Sequence, residues 1–234
     1  MVVVDSVTKT YSSRRGQTRA LDRVSLAVRR GEAVALVGKS GSGKTTLLNC
    51  VGGLERPDAG AVTCFGVAVH ALTERALGLF QRRRVGFVFQ RGNLLAYLSV
   101  ADNIAFPLRL NGVSGREKDR RVGELLERIG LSDAASALPH ELSGGELQRV
   151  AVARAVAHGP DLVLADEPTA SLDSAAGLRV LDLLLDLGRE RGCTTLIATH
   201  DPDVVQRTDA RVELHDGRAL SPTRPEDRLS IPQA

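Results

Sequence analysis

The sequence lacks the long apolar runs and paired cysteines of membrane-spanning and disulfide-stabilised proteins. No stretch of its 234 residues approaches the roughly 18 to 20 uninterrupted apolar residues that cross a bilayer. Residues 1–5 lack the long apolar core of a signal peptide, so we expect a cytoplasmic protein. Three widely spaced cysteines form no C-x-x-C pair, which disfavours a disulfide framework or a zinc site and predicts buried thiols: Cys50, Cys64 and Cys193.

Lysine is also scarce, and no block of like charge stands out. The formal net charge is +3, but the basic residues, mostly arginine, are interleaved with acidic ones. This pattern favours a solvated mixed surface over a nucleic-acid surface, so we expect no nucleic-acid partner. The chain shows no repeat or low-complexity segment, and its length and 43% hydrophobic content suit one domain with an inserted lobe.

A glycine-rich segment carries the strongest chemical signal. Residues 38–45 fit the pattern G-x-x-x-x-G-K-[S/T], with an apolar strand-like run at 33–37 before it and a helix-like run at 46–51 after it. In such a loop, backbone N–H groups and a helix N-terminus cradle phosphates, and Lys44 adds a positive charge between the outer ones. The hydroxyl of Thr45 suits Mg²⁺. The flanking strand and helix disfavour a chance match, so the segment predicts a nucleotide site.

The hydrophobic pattern predicts a mixed α/β fold. Antiparallel β-structure is expected first, then a helical lobe, and finally alternating strands and helices, which indicate a parallel sheet. S-x-x-E capping boxes predict helix starts at Ser114 and Ser143, and Asp201 before Pro202 predicts another. The expected strands or strand regions are 2–37 with a turn at 14–17, 61–65, 84–90, 161–165, 194–199 and a hairpin over 211–220. The expected helical segments are a polar one ending near 84, the lobe over 91–140, 143–157 and 174–190.

Two acidic residues close an apolar strand at 162–165. The carboxyl ends of parallel strands are where ligands bind in open α/β sheets. Asp166 could hold the hydration shell of Mg²⁺, and Glu167 could accept a proton from a water attacking the γ-phosphate. Taken alone, the pair would equally suit a polar strand end before Pro168, but a phosphate loop upstream favours the catalytic interpretation.

Gln90 and His200 each follow a different apolar strand. The amide of Gln90 could ligate Mg²⁺ or orient water where the helical lobe begins, and the imidazole of His200 could reach the γ-phosphate. Without context, an exposed glutamine or half-exposed histidine is the commoner outcome. Their positions among the other motifs favour function.

A second glycine-rich helix start lies at 142–149. Ser143, Gly144 and Gly145 would leave open backbone N–H groups at a helix N-terminus, where an anion can approach. Because residues 38–45 already cradle phosphate, this second anion site requires either a second phosphate or a second copy of the chain. A plain capped helix is the alternative.

Together these motifs resemble the nucleotide-binding subunit of ATP-binding cassette (ABC) transporters over residues 2–220. In that family's order they are Walker A at 38–45, the Q-loop at Gln90, the signature at 142–148, Walker B at 162–167, the D-loop at 171–173 and the H-loop at His200. The resemblance implies an α/β P-loop NTPase with a RecA-like parallel-sheet core, an antiparallel β subdomain and an inserted helical subdomain at about 91–158. The cassette would span residues 1–221, and 222–234 would be a disordered tail.

The resemblance also implies a site shared by two copies of the chain. Tyr11 would stack on adenine, and Ser143 to Gly145 would contact the γ-phosphate held by the opposite copy, with Asp173 linking the sites. The catalytic residues would be Glu167, His200, Gln90 and Lys44, and the Mg²⁺ ligands Thr45, Gln90 and Asp166. The ATP-binding residues would be Tyr11, Gly38, Lys39, Ser40, Gly41, Ser42, Gly43, Lys44, Thr45, Thr46, Ser143, Gly144, Gly145 and Asp173.

Residues 83–90, 93–95 and 102–108 resemble the group that serves lipoprotein release, macrolide export and antimicrobial-peptide resistance. Two positions depart from the usual patterns: Ala96 replaces a proline and Leu147 replaces a polar residue. The expected protein is an ATPase on the inner face of the plasma membrane that drives a separate integral membrane permease, in an exporter. Two alternatives remain: a regulatory or mechanical ATPase of the cell-division type, and a soluble repair or translation factor, which should carry a long insertion or a second cassette.

Overall fold

A computed structural model describes residues 1–13 and 16–220. The chain forms two compact units, one of residues 1–77 with 194 onward and one of residues 78–193. The chain passes from the first unit to the second within a helix, α2 (Glu74–Arg84). Among the described residues, no helix has both the length and the apolar character needed to span a bilayer.

The first unit contains an antiparallel sheet of four strands. They are β1 (Val2–Ser13), β2 (Gly16–Val28), β4 (Ala59–Cys64) and β5 (Val67–Ala68), in the order β2-β1-β4-β5. The alternation at Val24, Leu26 and Val28 predicts a half-buried strand, and these side chains are at most 5% exposed. A bulge interrupts the pairing of β1 with β2 after Val4. There Ser6 has a φ of 51°, and its N–H donates to the hydroxyl of Ser25.

Parallel strands form the other part of the first unit. Strand β3 (Ala33–Val37) pairs in parallel with β8 (Thr194–Thr199) on one side and with β9 (Ala210–His215) on the other, and β10 (Arg218–Ala219) extends β9 as a hairpin. Helix α1 (Lys44–Gly52) contacts β8, β2 and β4. A 3-10 turn (Val69–Ala71) and α7 (Pro202–Arg207) complete the unit. The carboxylate of Asp201 caps α7 as predicted.

The second unit packs four further helices with two parallel strands. They are β6 (Val85–Val88), α3 (Val100–Leu110), α4 (Gly115–Arg128), α5 (Gly144–Val156), β7 (Leu162–Asp166) and α6 (Ser174–Glu190), with 3-10 turns at Ser132–Ala134 and Pro139–Glu141. Helix α5 is central, because it contacts α3, α6 and β6. It packs so closely on β6 that a Cβ atom at Gly86 would lie 2.2 Å from the carbonyl oxygen of Ala155.

Buried side chains in the second unit follow the predicted periodicity. Val122, Leu125, Leu126 and Ile129 are at most 7% exposed, so the i, i+3, i+4, i+7 pattern marks the buried face of α4 and its C-cap. The predicted burial of Cys50, Cys64 and Cys193 is confirmed, and burial raises the pKa of their thiols to about 11, 12 and 11 respectively.

Three local expectations need correction. The helix predicted at Ser114 begins there, but the capping box is absent: the Ser114 hydroxyl makes no capping bond, and the carboxylate of Glu117 is bound by Arg120 and Arg121. Strand β4 begins two residues earlier than predicted, and the short β5 and the following 3-10 turn are absent from the predicted pattern. Arg14 and Arg15 of the predicted turn, and the tail over 222–234, lie outside the described residues.

Candidate functional site

The glycine-rich loop lies between β3 and α1 in the first unit. Its last glycine, Gly43, has a φ of 103° and provides no side-chain cap for α1, so the helix N-terminus is left to backbone and solvent. Lys44 is 7% exposed, and its ammonium donates to the carbonyl oxygens of Gly38 at 2.7 Å and Lys39 at 3.2 Å. The Lys44 side chain therefore folds back onto its own loop, and its ammonium lies next to the backbone of Gly38 and Lys39.

Two glycines in this loop are required by close contacts. A Cβ atom at Gly38 would lie 2.4 Å from the carbonyl oxygen of Leu214, and one at Gly43 would lie 2.4 Å from that of Ala20. The hydroxyl of Ser42 is buried and finds no hydrogen-bond partner within the described part of the chain. An unsatisfied buried hydroxyl near a lysine and a helix N-terminus that has no side-chain cap fits a phosphate, which offers acceptor oxygens.

Tyr11 lies near the end of β1, with 39% of its surface exposed. Its hydroxyl donates to the carboxylate of Glu55 and lies 3.5 Å from Oγ1 of Thr46, in the first turn of α1. Burial and the bond to Glu55 raise the pKa of Tyr11. The structure thus brings the predicted adenine-stacking residue next to a residue of the predicted phosphate site.

His200 leaves the parallel strands at the same edge as the glycine-rich loop. Val37, the last residue of β3, pairs with Thr199, the last residue of β8, so Gly38 and His200 follow neighbouring positions. His200 is exposed, and the N–H of Asp201 is held by the hydroxyl of Thr199 at 2.9 Å. The loop and the histidine therefore share one edge of the first unit.

In the second unit, the predicted acids and amide also share an edge. Strands β6 and β7 are parallel with Val88 paired to Ala165, so Gln90 and the pair Asp166 and Glu167 emerge at the same strand ends. Gln90 is exposed and the two acids are half-buried. Carboxylate and amide oxygens of this kind are ligands that Mg²⁺ prefers. The donor set fits that ion.

Glu167 has an unusual backbone. Its φ is 48°, in the left-handed region that residues other than glycine seldom adopt. Such a conformation costs of order 1 kcal/mol or more and is found more often at functional sites than elsewhere. Five other non-glycine residues have a φ of 47° to 52°, among them Ser6 at the bulge of β1, so the angle at Glu167 does not by itself assign a function to its carboxylate.

The predicted second anion site is the N-terminus of α5. Here the capping box is complete: the hydroxyl of Ser143 accepts from the N–H of Glu146, and the Glu146 carboxylate accepts from the Ser143 N–H at 2.8 Å. The Ser143 bonds also lower the pKa of Glu146. Gly144 and Gly145 lie before the first intrahelical hydrogen bond, so α5 itself leaves their N–H groups unsatisfied.

A cavity of about 310 Å³ opens beside this helix start. It is bounded by the first turns of α5 and α6, and Asp173, which caps α6 by accepting from the N–H of Ala176 at 2.9 Å, is on its wall. Two guanidinium side chains, Arg149 and Arg179, complete the polar lining. The cavity brings the predicted signature and D-loop residues together.

Side chains of α5 hold the segment after β6 in place. The amide of Gln148 donates to the carbonyl oxygen of Phe89, and Arg154 donates to those of Gly92 and Asn93, each at 2.9 Å. The hydroxyl of Ser171 donates to the carbonyl oxygen of Gln90 at 3.1 Å. The backbone around Gln90 is therefore tied to both the predicted signature helix and the predicted D-loop. Sequence reasoning missed these ties, because their partners lie about 60 to 80 residues apart.

Comparison with known proteins identifies the family. The sequence profile of the family described as ABC transporter matches residues 21–170. An uncharacterized ABC transporter ATP-binding protein of Mycobacterium tuberculosis is 47% identical over 95% of this chain and 91% of its own length. The lipoprotein-releasing system ATP-binding protein LolD of Chromohalobacter salexigens is 43% identical over 93% of this chain and 92% of its own length. The methionine import ATP-binding protein MetN of Streptomyces griseus is 42% identical over 99% of this chain and 66% of its own length.

A solved structure shows the same fold. The ATP-binding cassette MJ0796, in a dimeric post-hydrolysis state bound to ADP and Pi, superimposes with a TM-score of 0.88 and 38% identity, covering 96% of this chain and 98% of that one. The fold is that of a P-loop NTPase of the ABC type, as predicted. The chain belongs to the ABC transporter family, whose members bind ATP. It is the ATP-binding subunit of a transporter and an ATPase.

Proposed function

We propose that the chain drives an integral membrane permease, made as a separate chain, by ATP-dependent pairing of two copies head to tail. In this pair the loop 38–46 of one copy holds ATP and Mg²⁺, and Ser143, Gly144 and Gly145 of the other copy close over the γ-phosphate. Asp173 links the two sites. The subunit would work on the cytoplasmic face of the plasma membrane through its permease.

The observation that carries this proposal is the open N-terminus of α5. Its capping box fixes the first turn, while Gly144 is exposed and the amides of Gly144 and Gly145 point out of the helix start with no intrahelical acceptor. The phosphates of ATP bound to the same copy would occupy the loop at 38–45. A second copy would supply the anion that this helix start fits. The MJ0796 cassette, which was solved as a dimer bound to ADP and Pi, supports the pairing of two copies.

We assign the hydrolytic roles from the residues at the strand ends. Glu167 takes the proton of the attacking water, and its position directly after β7 supports this assignment. Lys44, His200 and Gln90 stabilise the γ-phosphate and orient water, and Thr45, Gln90 and Asp166 hold Mg²⁺, which would neutralise phosphate charge. Tyr11 supports the adenine ring with its aromatic face.

We place the transporter with extrusion systems for lipoproteins, peptides or drugs. The support is the similarity to LolD, together with the pattern at 102–108. The comparable similarity to methionine import proteins favours a second candidate, an importer. A mechanical ATPase of the cell-division type stays an alternative. The membrane protein encoded beside this gene tests these candidates. A permease with four spans and a large external domain would support extrusion. A permease-like partner that shows no solute flux would support the mechanical role.

Substitution at Ser143 tests the shared site. In a Glu167→Gln background with MgATP, Ser143→Arg should abolish the dimer on gel filtration, because the bulky side chain blocks the approach of the phosphate to α5. ATP binding by the monomer should persist. Ser132→Arg, at an exposed serine of a 3-10 turn in the same unit, is the matched control and should still dimerise. Unchanged dimerisation of Ser143→Arg would refute the trans contact.

A further inference from the structure

Tyr11 is held by a carboxylate that no sequence motif singles out. The hydroxyl of Tyr11, on β1, donates to Oε2 of Glu55, which lies 44 residues later in the turn after α1. Glu55 does not belong to any of the segments assigned to phosphate, Mg²⁺ or the partner copy. Its contact with Tyr11 therefore needs its own explanation.

Glu55 is itself fixed to α1. Its other carboxylate oxygen, Oε1, accepts from the side-chain amide of Asn49 at 3.1 Å. Its backbone N–H donates to the carbonyl oxygen of Asn49 at 3.2 Å. Asn49 lies within α1, the helix that begins with Lys44 and Thr45. Through Glu55, the Tyr11 ring is thus anchored to the helix whose first turn forms the phosphate site.

A second set of contacts pins the same part of β1 to the same turn. The ammonium of Lys9 donates to the carbonyl oxygen of Arg56 at 2.9 Å, contacts Asp58 at 3.4 Å, and lies 5.7 Å from the centre of the Tyr11 ring. The N–H of Thr10 donates to Asp58 at 2.6 Å. These contacts fix the strand just before the ring, whereas the bond to Glu55, with the longer 3.5 Å contact to Thr46, holds the phenol itself.

We propose that Glu55 is a positioning residue for the nucleotide base, because it ties the Tyr11 ring to α1 and so joins the base support and the phosphate loop into one rigid piece. The inference rests on the proposed nucleotide site. A ring that is already oriented loses less side-chain freedom when a base stacks on it, and this saving appears as affinity. The base is remote from the bond that breaks, so the tether acts equally on ground state and transition state.

Because the tether acts equally on the ground state and the transition state, its loss should change KM and not kcat. Loss of the tether raises KM for ATP and leaves kcat unchanged. Glu55→Ala removes the acceptor, and Tyr11→Phe keeps the ring but removes the donor. Each should raise KM roughly three- to tenfold, the range expected for one hydrogen bond, with kcat within about twofold. In the double variant, KM should match that of Tyr11→Phe alone, because the bond is already absent.

Inorganic tripolyphosphate separates the tether from a general disturbance of the site. It has no base, so its inhibition constant against ATP hydrolysis should be the same in wild type and Glu55→Ala. A parallel weakening of tripolyphosphate and ATP overturns the proposal, since it means that the phosphate loop itself has moved. The proposal is also overturned if the double variant raises KM by the product of the two single-variant increases, because the two substitutions would then act independently.

A spectroscopic readout reports on the bond directly. The chain has two tyrosines and no tryptophan, and Tyr97 is 88% exposed, so Tyr97→Phe leaves Tyr11 as the one phenol to titrate by ultraviolet absorbance. Glu55→Ala in that background should move the pKa of Tyr11 down towards its ordinary value, because a negatively charged acceptor is lost. An unmoved titration overturns the tether.

Lys44→Ala tests the proposed nucleotide site separately from the Glu55–Tyr11 tether. It should abolish ATP hydrolysis if the proposed site is correct. Full turnover in Lys44→Ala would overturn the nucleotide site and the tether together. An inactive Lys44→Ala beside an unchanged KM in Glu55→Ala would overturn the tether and leave the site intact.

Discussion

The side-chain amide of Gln148, on α5, donates a 2.9 Å hydrogen bond to the carbonyl oxygen of Phe89, one residue before Gln90. Gln148 is 2% exposed and Phe89 is half-buried, so the bond is partly shielded from water. With Arg154 and Ser171, it holds the backbone on both sides of Gln90. A displacement of α5 would therefore carry the predicted Mg²⁺ ligand with it, which gives the helix a direct physical connection to the catalytic edge.

We predict that Gln148→Leu lowers both stability and turnover. The half-buried Phe89 loses the donor to its carbonyl, which should cost about 1 kcal/mol in the free energy of unfolding by urea. The loosened segment should also reduce kcat more than it raises KM for ATP. The control is Gln206→Leu, at an exposed glutamine of α7, which should change neither quantity. A loss of stability with full kcat would mean that the bond serves the fold alone.

Asn103 anchors the segment that follows Gln90. It is fully buried: its Oδ1 accepts from the N–H of Leu95 at 2.8 Å, and its amide nitrogen donates to the carbonyl oxygens of Leu95, Leu98 and Ser99. The two N–H groups of the amide are shared among these three carbonyl oxygens, so the residue needs both an acceptor and a donor. The highly exposed Tyr97 lies in the segment that it holds.

We predict that Asn103→Asp destabilises the protein at least as much as Asn103→Ala. Aspartate has almost the same shape, but it would face three carbonyl oxygens with a negative charge, which costs more than about 1 to 3 kcal/mol of unsatisfied groups. Thermal and urea unfolding of the two variants measure the difference. Near wild-type stability of Asn103→Asp would mean that the residue only fills space.

His158, just after α5, should make stability depend on pH. Among the described residues neither of its ring nitrogens makes a well-formed hydrogen bond. Burial lowers the pKa of His158 to about 4, with the charge of Arg191 acting in the same direction and the backbone of Val85 opposing it. The buried imidazole is thus kept neutral at pH values where an exposed one would be protonated.

The sign of the effect follows from the two protonation states. Between pH 6.5 and about 4 the unfolded chain binds a proton at His158 and the folded chain does not, so stability from this residue is full above pH 6.5 and is lost as pH falls. The difference approaches roughly 3 kcal/mol at the acid end. His158→Leu should flatten this part of the curve of unfolding free energy against pH. An equally steep curve in the variant would assign the slope to other groups.

The hydrophobic pattern predicted those helices and strands whose ends are set by neighbouring residues in the sequence. The bounds of α6, β3 and β8 agree with those expected at 174–190, 33–37 and 194–199, because each is an apolar run closed by charged, glycine or capping residues. The capping box at Ser143 was also correct, whereas that at Ser114 was wrong. The same S-x-x-E spacing occurs at both, but at Ser114 the hydroxyl makes no capping bond, and Arg120 and Arg121 compete for the Glu117 carboxylate. Such competition depends on rotamers, which the spacing does not encode.

The chemical identity of the candidate site was readable from sequence, and its supporting contacts were not. Lys44, Gln90, Glu167 and His200 each follow or close an apolar strand, which is a local signal. Glu55 and Tyr11 meet across 44 residues, and Gln148 meets Phe89 across 59. These pairs arise from the packing of β1 on the turn after α1 and of α5 on β6. No periodicity in the chain reports them.

The exchange of Glu167 for glutamine tests the central claim most directly. Glu167→Gln keeps the shape of the side chain but removes the general base, so ATP hydrolysis should fall by at least about 100-fold while ATP remains bound. With MgATP the variant should elute from gel filtration as a dimer, and Glu127→Gln, at an exposed position on α4, should keep full turnover. Wild-type turnover by Glu167→Gln, with no dimer in MgATP, would contradict the account.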